Sequence, residues 1–228
     1  MIDVPINNKE ILATLKKFEW YYENREHISK YLRKNGRKEH REHYVCDEYR
    51  DKIIAEDTKH EGFPEDSYSY SLKEDQLYQK LDDLRQPDHG KEMVKILAKY
   101  GELNTELCTL LSTRNNALQI MYPPDGFIAW HNNANASAYN LIFSWSETGD
   151  GDFRYVDGHT GKMVVMKDKK GWQCKAGYFG AYGEPWYNRV YHAAQTNCWR
   201  VTVSYVFDRT DIAHGLQDEI IEEIMSDY

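Results

Sequence analysis

The order of residues predicts an α+β protein, with helices first and a jelly-roll-like double sheet after them. Two observations carry this. Up to about Asn104 charged residues dominate and apolar ones recur at helical spacing; from Asn115 onward the period switches to two, in short runs rich in Val, Tyr, Phe and Trp. Those runs are cut by turn chemistry, Pro-Asp-Gly at 124–126, Gly-Asp-Gly at 149–151 and Asp-Gly-His-Thr-Gly at 157–161.

The first helix is predicted to start at Asn7, where Asn7 and Glu10 match a capping box, with Ile11, Leu15, Phe18 and Tyr22 on one face and a stop at Asn35-Gly36. Residues 37–60 read as a second, charged helix, and 60–70 as a loop leading to a cap at Ser71 with Glu74. Leu77, Leu81 and Leu84 then make a third helical stripe stopped by Pro87, and Met93, Val94, Leu97 and Tyr100 a fourth that ends at Gly101. Strands are predicted near 117–122, 126–133, 138–145, 152–156, 162–166, 176–181, 188–192 and 198–208, enough for a jelly roll. The tail, 216–226, carries Leu216, Ile220, Ile221 and Ile224 at helical spacing. The chain therefore divides into a helical region (1–104), a β core (105–210) and a C-terminal helix (211–228).

Composition narrows the function. The 228 residues suffice for one well-filled core, and a formal charge of -8 with a pI near 5.6 disfavours a general role in coating nucleic acid. Cys46, Cys108, Cys174 and Cys198 lie far apart without a CxxC pair, so neither a zinc knuckle nor a disulfide framework is legible. The N-terminal segment lacks the basic start and apolar block of a signal peptide, and no run is long enough to span a bilayer. A soluble, cytoplasmic protein without membrane partners is expected.

Two segments hold the candidate chemistry. In QIMYPPDGFIAWHNN (119–133), alternation points Phe127, Ala129, His131 and Asn133 to one face and Ile128 and Trp130 to the other, so that His131 and Asn133 share a pocket. In VYHAAQTNCWRVTVSYVF (190–207), His192 precedes Arg200, which alternates with Thr202 and Ser204 opposite Trp199, Val201, Val203, Tyr205 and Phe207. An Fe(II) that activates oxygen needs three ligands on one face, commonly two imidazoles and a carboxylate. A dicarboxylate cosubstrate would need a cation for its far end, and the forked guanidinium of Arg200 beside the Thr202 hydroxyl suits it.

His131-x-Asn133, then His192, then Arg200 resembles the signature of Fe(II)- and 2-oxoglutarate-dependent oxygenases, over about residues 115–208. The wording YPPDGFIAWHNN is similar to the YxPG…HxD segment of the prolyl-hydroxylase and AlkB-like branches, where the tyrosine matching Tyr122 often helps hold 2-oxoglutarate. Oxygenase-like proteins of large tailed bacteriophages read similarly through WHNNANASAYN and GWQCKAGYFG. The resemblance implies a double-stranded β-helix (cupin-like) with the N-terminal helices packed on one sheet. It also implies a dioxygenase that hydroxylates a C-H bond with O2 while 2-oxoglutarate becomes succinate and CO2. The metal, Fe(2+), would sit on His131, His192 and Asn133, and the cosubstrate on Arg200, Thr202 and Tyr122. The substrate is open among a protein side chain, an amino acid and a nucleotide.

Asn133 departs from that pattern, because the family's carboxylate ligand falls on a neutral amide. Its carbonyl oxygen binds the metal, or the position is left to water or an anion as in halogenating relatives, or metal chemistry has been lost. The last reading is an iron-deficient, silent β-helix that acts as an anion- or partner-binding module through Arg200. Several residues read more simply. Arg200 can pair with a carboxylate such as Glu147 or Asp152, and Tyr122 can be core. Asn135 replaces Asn133 as a ligand only if the chain bends. His40 and His43 belong to a solvated charged face, and His159 and His214 to exposed loops. Trp186, Tyr187 and Tyr191 form either a substrate wall or packing.

Overall fold

The computed structural model describes residues 1–72, 87–113, 115–207 and 215–227, and shows an α+β fold in which helices pack against one large, curled antiparallel sheet. The arrangement is jelly-roll-like in general terms. The strands are β1 (Ile2–Val4), β2 (Lys34–Asn35), β3 (Ser67–Ser71), β4 (Asn115–Tyr122), β5 (Phe127–His131), β6 (Ala138–Ser146), β7 (Gly151–Val156), β8 (Met163–Lys167), β9 (Gly171–Phe179), β10 (His192–Thr196) and β11 (Arg200–Phe207). Their spatial order is β1-β9-β6-β11-β4-β3-β5-β10-β7-β8, with β2 paired to β3.

The strand β3 makes the curl. Its Tyr70 and Ser71 pair with β4, whereas Ser67 and Tyr68 pair with β5, so five residues join the two halves of the sheet. The alternation SYSYS was in plain view within the segment expected to be a loop and a helix cap. The stripe Leu77, Leu81 and Leu84, and His214, lie outside the described residues.

Helices cover the outer faces of both halves, most of them on the larger one and those of residues 41–56 on the smaller. The first predicted helix is instead three short ones, α1 (Lys9–Lys17), α2 (Glu19–Glu23) and α3 (Arg25–Ile28). Its cap is Asn8 rather than Asn7: the Asn8 Oδ1 accepts from the backbone N–H of Glu10 and Ile11, both at 3.0 Å. Residues 37–60 likewise split, into α4 (Arg41–Val45) and α5 (Asp47–Glu56) flanked by single 3-10 turns, with the break at the extended residue Cys46. One long helix, α6 (Pro87–Leu110), replaces the predicted helix that stopped at Gly101. The glycine does not end it because Leu103 and Leu107 beyond it are fully buried, and their packing outweighs the roughly 1 kcal/mol that an interior glycine costs.

The main core lies between these helices and the sheet. Ile11, Leu15, Phe18, Leu103 and Leu107 meet Leu141 and Phe143 of β6 and Val201, Val203 and Tyr205 of β11. The tail forms α7 (Leu216–Met225), burying Ile220 and Ile224, and the Ile224 carbonyl accepts from the N–H groups of Asn7 and Asn8 at 2.9 and 3.1 Å. All four cysteines are free thiols. Among the described residues no helix is long and apolar enough to cross a membrane.

Candidate functional site

The inner face of the curled sheet encloses a cavity of about 550 Å³, within the size range of small-molecule sites. Ile142 of β6, Phe153 of β7 and Phe179 of β9 give it an apolar wall. Arg200, Thr202 and Ser204 of β11 give it a polar stripe, and Tyr122, His131, Asn133 and His192 complete the predicted set. The exposed residues Phe63 and Ala136 mark its open side.

His131 reaches the cavity by a route that simple alternation missed. His192 of β10 is opposite His131 and Ala194 is opposite Ile128, so β5 spends three residues where β10 spends two. This bulge turns Ala129 and Trp130 together to the outer side, into a cluster with Tyr49 and Ile53, and brings Ile128 and His131 together to the inner side. The expected grouping of Phe127 and Ala129 with His131 is corrected accordingly.

Beyond His131 the chain turns through Asn133 and Ala134 at φ of 66° and 52°. The turn is locked by the facing loop. The Gly62 carbonyl accepts from Asn132 N–H at 3.2 Å, and a Cβ on Gly62, at φ 82°, would lie 2.4 Å from the Ala134 nitrogen. Asn133 is half-buried on the cavity wall, and Asn135 is exposed and off it.

The two imidazoles face each other with centroids 4.1 Å apart. Each Nδ1 is 2.8 Å from the backbone carbonyl two residues before it, Ala129 for His131 and Val190 for His192. A carbonyl can only accept, so each Nδ1 carries the hydrogen and each Nε2 holds a lone pair. Burial and the neighbouring His192 ring push His131 well below its ordinary range, and burial pushes His192 down to about 4. Both rings are neutral at pH 7.

Arg200 is 1% exposed and is held from three directions. Its Nε donates to Asp168 Oδ2 at 2.9 Å, Nη1 to Thr202 Oγ1 at 3.0 Å and Nη2 to Ser144 Oγ at 3.0 Å. Its partner is therefore neither Glu147 nor Asp152. The Tyr122 ring lies 5.5 Å from the guanidinium carbon, and burial raises the Tyr122 phenol above its ordinary value.

A second cation stands behind Arg200. Lys175 Nζ is 3.5 Å from Asp168 Oδ1, with both side chains fully buried. Burial pushes the Lys175 ammonium down and Asp168 opposes the shift. Two cations thus share one carboxylate. Sequence reasoning missed Asp168, Lys175 and Ser144. The available signal was Lys175 itself, a lone charge between Cys174 and Ala176 in a strand of otherwise uncharged residues.

The remaining residues fall simply. His40 bonds Asp66 at 2.5 Å and is half exposed, and His43 and His159 are exposed. Tyr191 packs in the core beside Trp130, whereas Trp186 and Tyr187 are exposed.

The metal centre is corrected. Among the described residues no group of three or more His, Cys, Asp or Glu side chains is placed to hold a metal ion. His131 and His192 form a pair without a carboxylate, and two neutral imidazoles with the neutral amide of Asn133 supply no negative charge to a dication. An Fe(II)/2-oxoglutarate dioxygenase does not fit this donor set. The expectations of hydroxylase activity, of iron and 2-oxoglutarate as cofactors, and of membership in the oxygenase superfamily are overturned together.

No family model matches the chain, and no curated protein does. Among solved structures, the capsular polysaccharide assembling protein CapF from Staphylococcus aureus is similar at 11% identity, over 57% of this chain and 37% of that one, with a TM-score of 0.23. CapF with the inhibitor 3-isopropenyl-tropolone is similar at 12% identity, over 58% and 39%, with a TM-score of 0.21. This chain thus spans well under two thirds of their length, and likenesses this slight carry no statement about fold or activity.

Proposed function

We propose that this chain is a non-catalytic binding module of double-stranded β-helix form that holds a small carboxylate in its cavity, with Arg200 and Thr202 as the anion's seat. The observation that carries this reading is the surplus of buried cation: Arg200 and Lys175 against one buried carboxylate, Asp168, with the exposed Asp3 a weaker neighbour of Lys175, and with Arg200 lining the cavity. A buried charge without a full complement of partners is costly, and an incoming carboxylate offsets it. Three of the five guanidinium N–H groups are engaged by Asp168, Thr202 and Ser144, which leaves donors on the two terminal nitrogens for a fork-shaped contact. A deep, mostly apolar cavity with Arg200 buried in its wall suits a small molecule better than a partner's surface carboxylate.

The test is direct. Titrating acetate, butanoate and glutarate into the protein should displace the Arg200 Nε–H resonance in a ¹H–¹⁵N spectrum, and Thr202→Val should weaken binding about tenfold, the scale of one hydrogen bond to a charged group. A resonance that no carboxylate moves would sink the proposal.

A further inference from the structure

Resting on that reading, we infer that the ligand is a hydroxy monocarboxylate: one carboxylate at Arg200, an apolar body, and a hydroxyl whose single hydrogen is shared between the Nε2 atoms of His131 and His192. The two imidazoles carry the inference. Their Nδ1 hydrogens are committed to the Ala129 and Val190 carbonyls, so the edges left for the cavity are both acceptors. The rings stand 4.1 Å apart, centroid to centroid, with Phe179 at 4.7 Å and Phe153 at 5.6 Å from His192. The two rings bring to that end of the cavity lone pairs that only a donor can match, beside the apolar faces of Phe153 and Phe179.

Four ligand ends compete for this position, and chemistry ranks them. An alkyl end leaves both acceptors desolvated and unmatched. A second carboxylate sets acceptor against acceptor. An ammonium donates well, but among the described residues the lining contains no Asp or Glu to balance it, and a buried ammonium without a counterion is expensive. A hydroxyl supplies a donor with no charge. The charge count agrees: the Arg200, Lys175 and Asp168 cluster has one positive charge in excess, which a monoanion matches and a zwitterion does not.

Calorimetric titration of the intact protein tests this with four matched series: ω-hydroxy, unsubstituted, ω-amino and α,ω-dicarboxylic acids, each from butanoate to heptanoate chain length. At the best chain length the hydroxy acid should bind at least about tenfold more tightly than the other three, and His192→Phe should lower its affinity to that of the unsubstituted acid. Equal affinity of hydroxy and unsubstituted acids for the unmodified protein overturns the inference, as does an amino acid or diacid that binds best. These outcomes leave the carboxylate site standing; binding by none of the four series removes that site, and this inference with it. Should His192→Phe fail to fold, His131→Phe asks the same question, and the ranking in the unmodified protein needs neither variant.

Discussion

The two faces of β11 carry opposite chemistry on one backbone. Outward, Val201, Val203, Tyr205 and Phe207 are fully buried against helices. Inward, Arg200, Thr202 and Ser204 are just as buried but line a cavity. Equal burial therefore has two meanings. The outer residues lower the free energy of the fold by leaving water, whereas the inner ones are desolvated at a cost that hydrogen bonds, ion pairs and an incoming ligand must offset. The two faces should therefore respond differently to the same kind of injury.

The largest effect is expected at Asp168. Changing Asp168→Asn leaves Arg200 and Lys175 buried without an anion, and breaking a buried pair from one side costs on the order of 5 kcal/mol, read as a lower midpoint in urea denaturation. Lys175→Met sharpens the point, because it removes the surplus charge and fills the space with an apolar chain. Its stability should stay within about 1 kcal/mol of the parent while carboxylate affinity falls. A Lys175→Met protein that binds carboxylates as before would detach the charge surplus from the function.

On the outer face the matching injury is Phe143→Ala. Phe143 is fully buried on β6 and meets the Tyr205 ring edge-on at 6.4 Å. Its loss should destabilise the fold by about 4 kcal/mol through lost burial and a residual void, while carboxylate affinity of the still-folded fraction stays unchanged. A change in affinity as large as the change in stability would show that the two faces are not independent.

How much of this was legible depends on what each residue reports. The inward stripe Arg200-Thr202-Ser204 was readable because strict alternation in an apolar strand leaves a charge nowhere else to go, and His131, His192, Asn133 and Tyr122 do line one cavity with it. The tail helix was readable from its isoleucines. The bulge at Ala129 and Trp130 was not, since one extra residue in a ladder depends on the partner strand rather than on local pattern. Nor was Asp168 as the partner of Arg200: in KDKKG it looks like a solvated turn, and only the return of β9 beside β6 buries it. Pattern reads the face on which a side chain falls. It does not read which distant groups share that face, and so the metal chemistry inferred from two histidines and an arginine failed where a third ligand was required.

The last expectation separates the faces by pH. His192 has an ordinary value of 6.5 and a folded value of about 4, so the unfolded chain takes up a proton near pH 6.5 that the native, buried ring refuses until about pH 4. Stability is thus fully present above pH 6.5 and is lost as pH falls through that window, because the unfolded state binds more protons there. For His192 alone the loss amounts to about 3 kcal/mol, and His131, lowered by burial and by its neighbour, acts in the same direction. Urea denaturation of the parent and of His192→Phe from about pH 7.5 to about pH 4 isolates the effect, since the carboxylates common to both proteins cancel in the difference. The parent should lose more stability than the variant on acidification, whereas Phe143→Ala, injured on the other face, should start lower and follow the parent's slope. Parallel curves for the parent and His192→Phe would mean that the His192 ring is solvated in the native state, and the contrast between an apolar outer face and a desolvated polar inner one would have to be redrawn.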